Sequence, residues 1–220
     1  QEQFLMERTF APWPDMEEKM RENGIPLFSL ESMRPAGDFD VIGFSLQYEL
    51  SYSNVLNMLD LAGIPLLSRD RDDSHPLVIA GGPNAFNPEP LADFIDAFVI
   101  GDGEEAILQV LDSIKTNPGL PRHNMLEVLA AVPGVYVPGF FEVKYNTGGT
   151  VAAMNPVCPG VSPRVTKAVI PDLDEAYFPV SPVVPYLGII HDRAVLEVMR
   201  GCQRGCRFCQ AGIIYRPVRE

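Results

Sequence analysis

Three continuous apolar runs constrain this chain most: "FDVIGFSL" (39–46), "PLVIAGG" (76–82) and "AFVIGDG" (97–103). Their hydrophobicity does not alternate, so each reads as a strand buried on both faces, the condition of a parallel sheet covered by helices. Helical spacing fills the intervals. "SYSNVLNMLDLA" (51–62) follows the first run and "EEAILQVLDSIK" (104–115) follows the third. Ahead of them, "PDMEEKMREN" (14–23) starts with Pro14 and Asp15 and closes at Asn23-Gly24, the residue types that start and cap helices. "RTFAP" (8–12) is a short strand candidate, and "IPLFSL" (25–30) is extended. Residues 1–118 therefore predict an α/β domain with a doubly wound parallel sheet. An internal echo supports repeated βα units: "NGIPLFS" (23–29) returns as "AGIPLLS" (62–68), each with Gly closing a helix.

From Asn117 the texture changes. "NMLEVLAA" (124–131) is a short helix, and "GVYVPGFFEVKYNTGGTVAAM" (134–154) reads as a β-hairpin turning at Asn146–Gly149. A proline-rich stretch follows, which makes residues 119–188 a connector. "AVLEVMRGC" (194–202) reads as a strand running straight into a cysteine loop, so residues 189–220 form a third part. The opening "QEQFLMERTF" has no cap or turn before its apolar residues and reads as a start inside a domain. The first strand of the sheet is therefore expected to lie outside this chain.

The net charge of −12 is unlike that of a nucleic-acid binder, which needs clustered Lys and Arg. The balance reverses locally: from Arg193 to Glu220 there are six Arg against two Glu. No apolar stretch is long enough to span a bilayer and no signal peptide is visible, so the expected setting is reducing and cytoplasmic. Three of the four cysteines, Cys202, Cys206 and Cys209, lie within eight residues at C-x3-C-x2-C spacing. That density argues for metal ligation rather than disulfides. Three thiolates, unlike four, leave one coordination position open. A zinc site would need a fourth ligand, and only His191 and Cys158 are candidates.

"RGCQRGCRFCQAG" (200–212) resembles the signature of radical S-adenosylmethionine (SAM) enzymes, with Phe208 just before the third cysteine. The resemblance implies that Cys202, Cys206 and Cys209 hold a [4Fe-4S] cluster, with Phe208 beside SAM. It implies reductive cleavage of SAM to a 5′-deoxyadenosyl radical and an external electron donor such as a flavodoxin or ferredoxin. It further implies that the strand before Cys202 is the first of a (β/α) barrel whose remainder lies beyond this chain, so that the fragment alone is inactive. The substrate is not identified by the sequence.

"DVIGFSLQYELSYSN" (40–54) and "PLVIAGGPNAFNPEPLADFIDAFVIGDGEEAI" (76–107) resemble the cobalamin-binding-type Rossmann-like domain that precedes the barrel in one radical SAM subgroup. By that resemblance Gly43, Ser45, Gly81, Gly82, Gly101, Gly103 and Glu104 line a cobalamin crevice at the strand ends. Taken singly, such glycines are also ordinary turn residues. One departure stands out. The D-x-H-x-x-G motif that supplies a cobalt ligand is missing: Asp73 and His75 have the first spacing, but Val78 replaces Gly. His75, His123 and His191 therefore read as solvated loop residues, Cys158 as a lone loop thiol and Trp13 as packing near a strand end. Two alternatives to the enzyme stay open: a cobalamin-binding module with a vestigial barrel, and a zinc-stapled interaction protein.

Overall fold

A computed structural model describes residues 4–181, 188, 193 and 195–220. The chain divides into two compact units, one running to Ala168 and the other from Val169 to Glu220.

The first unit is built on a four-stranded sheet of order β1 (Val41–Ser45), β2 (Leu77–Gly81), β3 (Ala97–Val99) and β4 (Val135–Tyr136). The first three strands are parallel, as their unbroken apolar character requires, and β4 is antiparallel to β3. Side chains alternate between two cores. Ile42, Phe44, Val78, Ala80 and Phe98 face Val55 and Leu59 of α2 (Tyr52–Leu61). Leu77, Ile79, Ala97 and Val99 face Ala106 and Val110 of α3 (Gly103–Thr116), with Met125 and Leu129 of α4 (Arg122–Ala130). Val78 and Phe98 are fully buried, which is what a strand covered on both faces predicts. The β2–β3 crossover carries no α-helix. Two short 3-10 turns, Pro83–Phe86 and Glu89–Leu91, place Ala85 and Leu91 on the α2 face instead. The strand order never reverses among the described residues, so the parallel strands have no switch point of the kind a doubly wound sheet uses to open a crevice.

Several local expectations change. Val135 and Tyr136 join the main sheet rather than the hairpin, because Val99 and Phe98 offer a free edge. The hairpin is β5 (Phe141–Tyr145) against β6 (Val151–Pro156). "RTFAP" forms no strand. It is held instead by isolated bonds, from Leu30 N to Arg8 O (2.8 Å), from Thr9 Oγ1 to Phe28 O (3.0 Å), and from Arg8 N and Nε to the Glu31 carboxylate (both 2.7 Å). Trp13 does not pack and is 81% exposed.

The two echoed segments share one local structure. Gly24 and Gly63 adopt φ of 63° and 70°, the left-handed conformation that glycine enters without Cβ strain. Ile25 N then bonds Met20 O (2.9 Å) and Ile64 N bonds Leu59 O (3.0 Å), the same closing bond after α1 (Pro14–Asn23) and α2. The sequence repeat is thus a repeated helix stop.

At the N-terminal end of β2 and β3 lies a buried ionic cluster. Asp96 accepts from Arg71 Nη1 (3.1 Å), from Val78 N (2.7 Å) and from Arg122 Nη2. Arg71 also donates to the carbonyls of Pro65, Leu66 and Phe94, so its guanidinium is enclosed by acceptors.

In the second unit, Arg200 and Arg219 exchange both main-chain hydrogen bonds at 2.9 Å, and Arg219 Nη1 donates to Ile170 O at 2.6 Å. Between the two arginines lie the cysteine loop and the four-residue α5 (Ala211–Ile214). Residues 195–199, expected as a barrel strand, are in no strand, and the bridge at Arg200 is the first pairing after them. A strand exists only through a ladder with a neighbour, and no described residue supplies one there. Ala194, the first residue of that expectation, lies outside the described residues.

Candidate functional site

The cysteine loop is a closed excursion. Its entry needs Gly201: φ is 96°, and a Cβ there would stand 2.8 Å from Tyr215 O. Its exit runs through α5, where a Cβ on Gly212 would stand 2.9 Å from Arg204 O. Between these points Cys209 N bonds Cys206 O (3.2 Å), so the last two cysteines flank one turn. Cys206 and Cys209 are exposed, Cys202 is half-buried, and all three thiols are free. Phe208 is 91% exposed in the middle of that turn. The side chain of Arg200 is held by Glu197 through two bonds of 2.8 and 3.0 Å, which fixes the stem.

Among the described residues, the three sulfurs do not all lie within 4.8 Å of one another. One ion would need such a gathering, and a four-iron cluster would not, since each thiolate binds a different iron and the sulfurs stand further apart. The loop, pinned at both ends, carries the exposed thiols of Cys206 and Cys209 and the half-buried thiol of Cys202, the donor type that a four-iron cluster takes.

The residues expected at a cobalamin crevice are placed less favourably. Gly43 and Gly81 are strand residues, with Cβ positions near Ile79 Cγ1 (3.8 Å) and Val99 O (3.5 Å). Ser45 ends β1 and is exposed. Gly103 and Glu104 open α3, and nothing lies within 4 Å of a Cβ on Gly103. Gly82 and Gly101, however, have their open faces filled by the chain itself. A Cβ on Gly82 would lie 2.9 Å from Leu46 O, and one on Gly101 would lie 2.1 Å from Ala168 O. Ala168 N bonds Ile100 O (2.8 Å) and Asp102 N bonds Ala168 O (2.9 Å), so the connector lies along the β3 end as an added extended residue. Neither described histidine is at these strand ends. His75 precedes β2 and contacts Asp72 (2.8 Å), and His123 opens α4; His191 lies outside the described residues. As placed, these residues do not fit a corrin lying across Gly82 and Gly101.

One constellation escaped sequence reasoning. His123, Glu127 and Cys158 bring their donor atoms within 4.8 Å of one another. His-x3-Glu on a helix was a visible one-turn spacing. Nothing in the sequence joined it to a cysteine 31 residues beyond Glu127.

A family profile described as "Radical SAM proteins, N-terminal" matches residues 1–138. A curated relative, an uncharacterized protein of Methanocaldococcus jannaschii, is 28% identical over 205 residues, 91% of this chain and 36% of its own length. The chain thus spans about a third of that relative. No solved structure matches. Among the described residues, no helix is long and apolar enough to cross a membrane.

Proposed function

The chain belongs to the radical SAM proteins by its N-terminal domain, and on that premise we propose that Cys202, Cys206 and Cys209 are the cluster ligands of a radical SAM enzyme. The observation that carries the reading is the set of three free thiols at C-x3-C-x2-C on one loop pinned by Arg200 and Arg219. When bound to those thiolates, a [4Fe-4S] cluster supplies the electron that cleaves the sulfonium of SAM and yields a 5′-deoxyadenosyl radical. The loop's own contribution is geometric. Gly201 turns the chain sharply into the loop, and the 206–209 turn spaces two ligands. Phe208, projecting from that turn, presents an apolar face where the adenosyl group of SAM would rest. Arg204 and Arg207 add cationic character beside an anionic assembly. An external one-electron donor, a flavodoxin or ferredoxin in kind, would serve it in a reducing cytoplasm.

The proposal leaves cobalamin out, because Gly82 and Gly101 turn their open faces to Leu46 and Ala168. The substrate and the rest of the catalytic machinery belong to the whole protein, of which the matched relative is nearly three times the length covered. The test is anaerobic reconstitution of the full-length protein with iron and sulfide, followed by iron and sulfide counting and an assay for 5′-deoxyadenosine with SAM and a reductant. Near four irons per chain and turnover of SAM are expected, both lost in Cys206→Ser. One tightly held zinc and no iron would overturn the reading in favour of a zinc-stapled interaction protein.

A further inference from the structure

His123 and Glu127 stand one turn apart on α4, and Cys158 reaches them from the segment that leaves β6. Glu127 Oε1 is the hub, 3.7 Å from His123 Nε2 and 3.5 Å from Cys158 Sγ. Zinc bonds of about 2.1 Å to nitrogen and oxygen and about 2.3 Å to sulfur set tetrahedral edges of roughly 3.3–3.7 Å. Two edges of such a tetrahedron are already in place. A donor set of imidazole, carboxylate and thiol suits zinc and excludes magnesium and calcium, which take oxygen alone.

Each of the three residues is held by a contact of its own. The other carboxylate oxygen of Glu127 accepts from Asn124 Nδ2 at 3.2 Å. The imidazole of His123 meets the Phe140 ring edge-on, with centroids 5.3 Å apart. Cys158 packs against the apolar core beneath α4, and its segment is fixed by Val157 N to Phe140 O (2.8 Å) and Val161 N to Cys158 O (3.3 Å). Without a cation, the Cys158 thiol donates to Glu127 Oε1 at 3.5 Å, so these two ligands already face each other.

We propose that His123, Glu127 and Cys158 form a zinc site with water as fourth ligand, which ties the segment after β6 to α4 and so steadies the chain that runs on to Ala168. On binding, the Cys158 thiol releases its proton to solvent, and sulfur, nitrogen and oxygen each donate a lone pair to the metal. No oxidation is involved. The site is independent of the loop cysteines, which belong to the other unit.

The experiment uses the whole chain with Cys202, Cys206 and Cys209 changed to Ser, so that the loop cannot take up metal. Zinc is titrated against a chromophoric chelator, and cobalt(II) serves as the spectroscopic probe. One equivalent of zinc should bind, and His123→Ala, Glu127→Gln and Cys158→Ser should each weaken it by roughly ten- to a hundredfold or more. Cobalt should show a thiolate charge-transfer band that Cys158→Ser abolishes. The His123 side chain is 68% exposed, so His123→Ala keeps the fold whatever Cys158→Ser does. No stoichiometric binding, or binding undiminished in His123→Ala or Cys158→Ser, overturns the proposal. Because the loop thiols are absent, neither result bears on the cluster.

Discussion

Arg71 and Asp96 meet at 3.1 Å with side chains 0% and 1% exposed, and the same carboxylate oxygen also takes Arg122. Two guanidiniums thus share one buried anion. Burial drives the Arg71 pKa down, and the charge of Asp96 opposes that shift. Asp96→Asn should therefore be among the most damaging single changes in the chain. It strands two cations and costs about 3–5 kcal/mol, the usual loss on breaking a buried pair. Urea unfolding should show a lower midpoint with an unchanged slope.

Gly101→Ala should detach the connector locally. The residue has φ of 108°, and its new Cβ would stand 2.1 Å from Ala168 O. The strained backbone alone costs about 1–3 kcal/mol. Hydrogen exchange should report the loss at two amides, Asp102 N and Ala168 N, which bond across this contact, while Val78 N in the sheet keeps its protection.

How far the sequence disclosed this arrangement differs from element to element. The parallel strands were readable because Val78 and Phe98 sit in runs with no polar face, and α1 because Pro14 and Gly24 mark both its ends. Val135 and Tyr136 pair with β3 rather than within the hairpin, a difference that strand propensity cannot foresee, because it does not name a partner and the edge they fill is 36 residues away. The cysteine spacing was legible at once, since three thiols within eight residues need no tertiary information, whereas the strand expected before them did not form. The strand-end glycines were not: Gly101 reads the same whether a ligand or Ala168 lies against it. The His123, Glu127 and Cys158 set stayed hidden for a related reason, because only the fold of the hairpin returns Cys158 to α4.

Tyr136 should make the fold sensitive to alkali. Its hydroxyl donates to Glu89 Oε1 at 2.9 Å, and burial, then that carboxylate, raise its pKa above the ordinary tyrosine range. A folded pKa above the unfolded one gives stability that is complete below about pH 10, the unfolded tyrosine value, and declines as the pH climbs beyond it. Thermal melts across that range should show a steeper alkaline loss for the wild type than for Tyr136→Phe. At neutral pH the variant should lose about 1.5–3 kcal/mol, the worth of one hydrogen bond to a charged group.

Changing Cys202, Cys206 or Cys209 singly to Ser should abolish iron retention after reconstitution while leaving the melting temperature of the metal-free chain nearly unchanged. Cys206 and Cys209 are exposed, and surface substitutions usually lie within about 0.5 kcal/mol of neutral. Phe208→Ala should likewise spare the fold, since the ring is 91% exposed, and should weaken SAM binding in the full-length protein. Isothermal titration of the reconstituted protein with SAM would measure that difference.

Ala168 stands between two glycines, for a Cβ on Gly134 would meet Ala168 N at 2.9 Å and its Cβ at 3.0 Å, much as one on Gly101 meets its carbonyl. The smallness of these three positions is therefore a shared property. In the substitution history of such chains, side-chain bulk should be gained at 101, 134 or 168 only where the other two have moved apart, so the three should drift together as one inherited character.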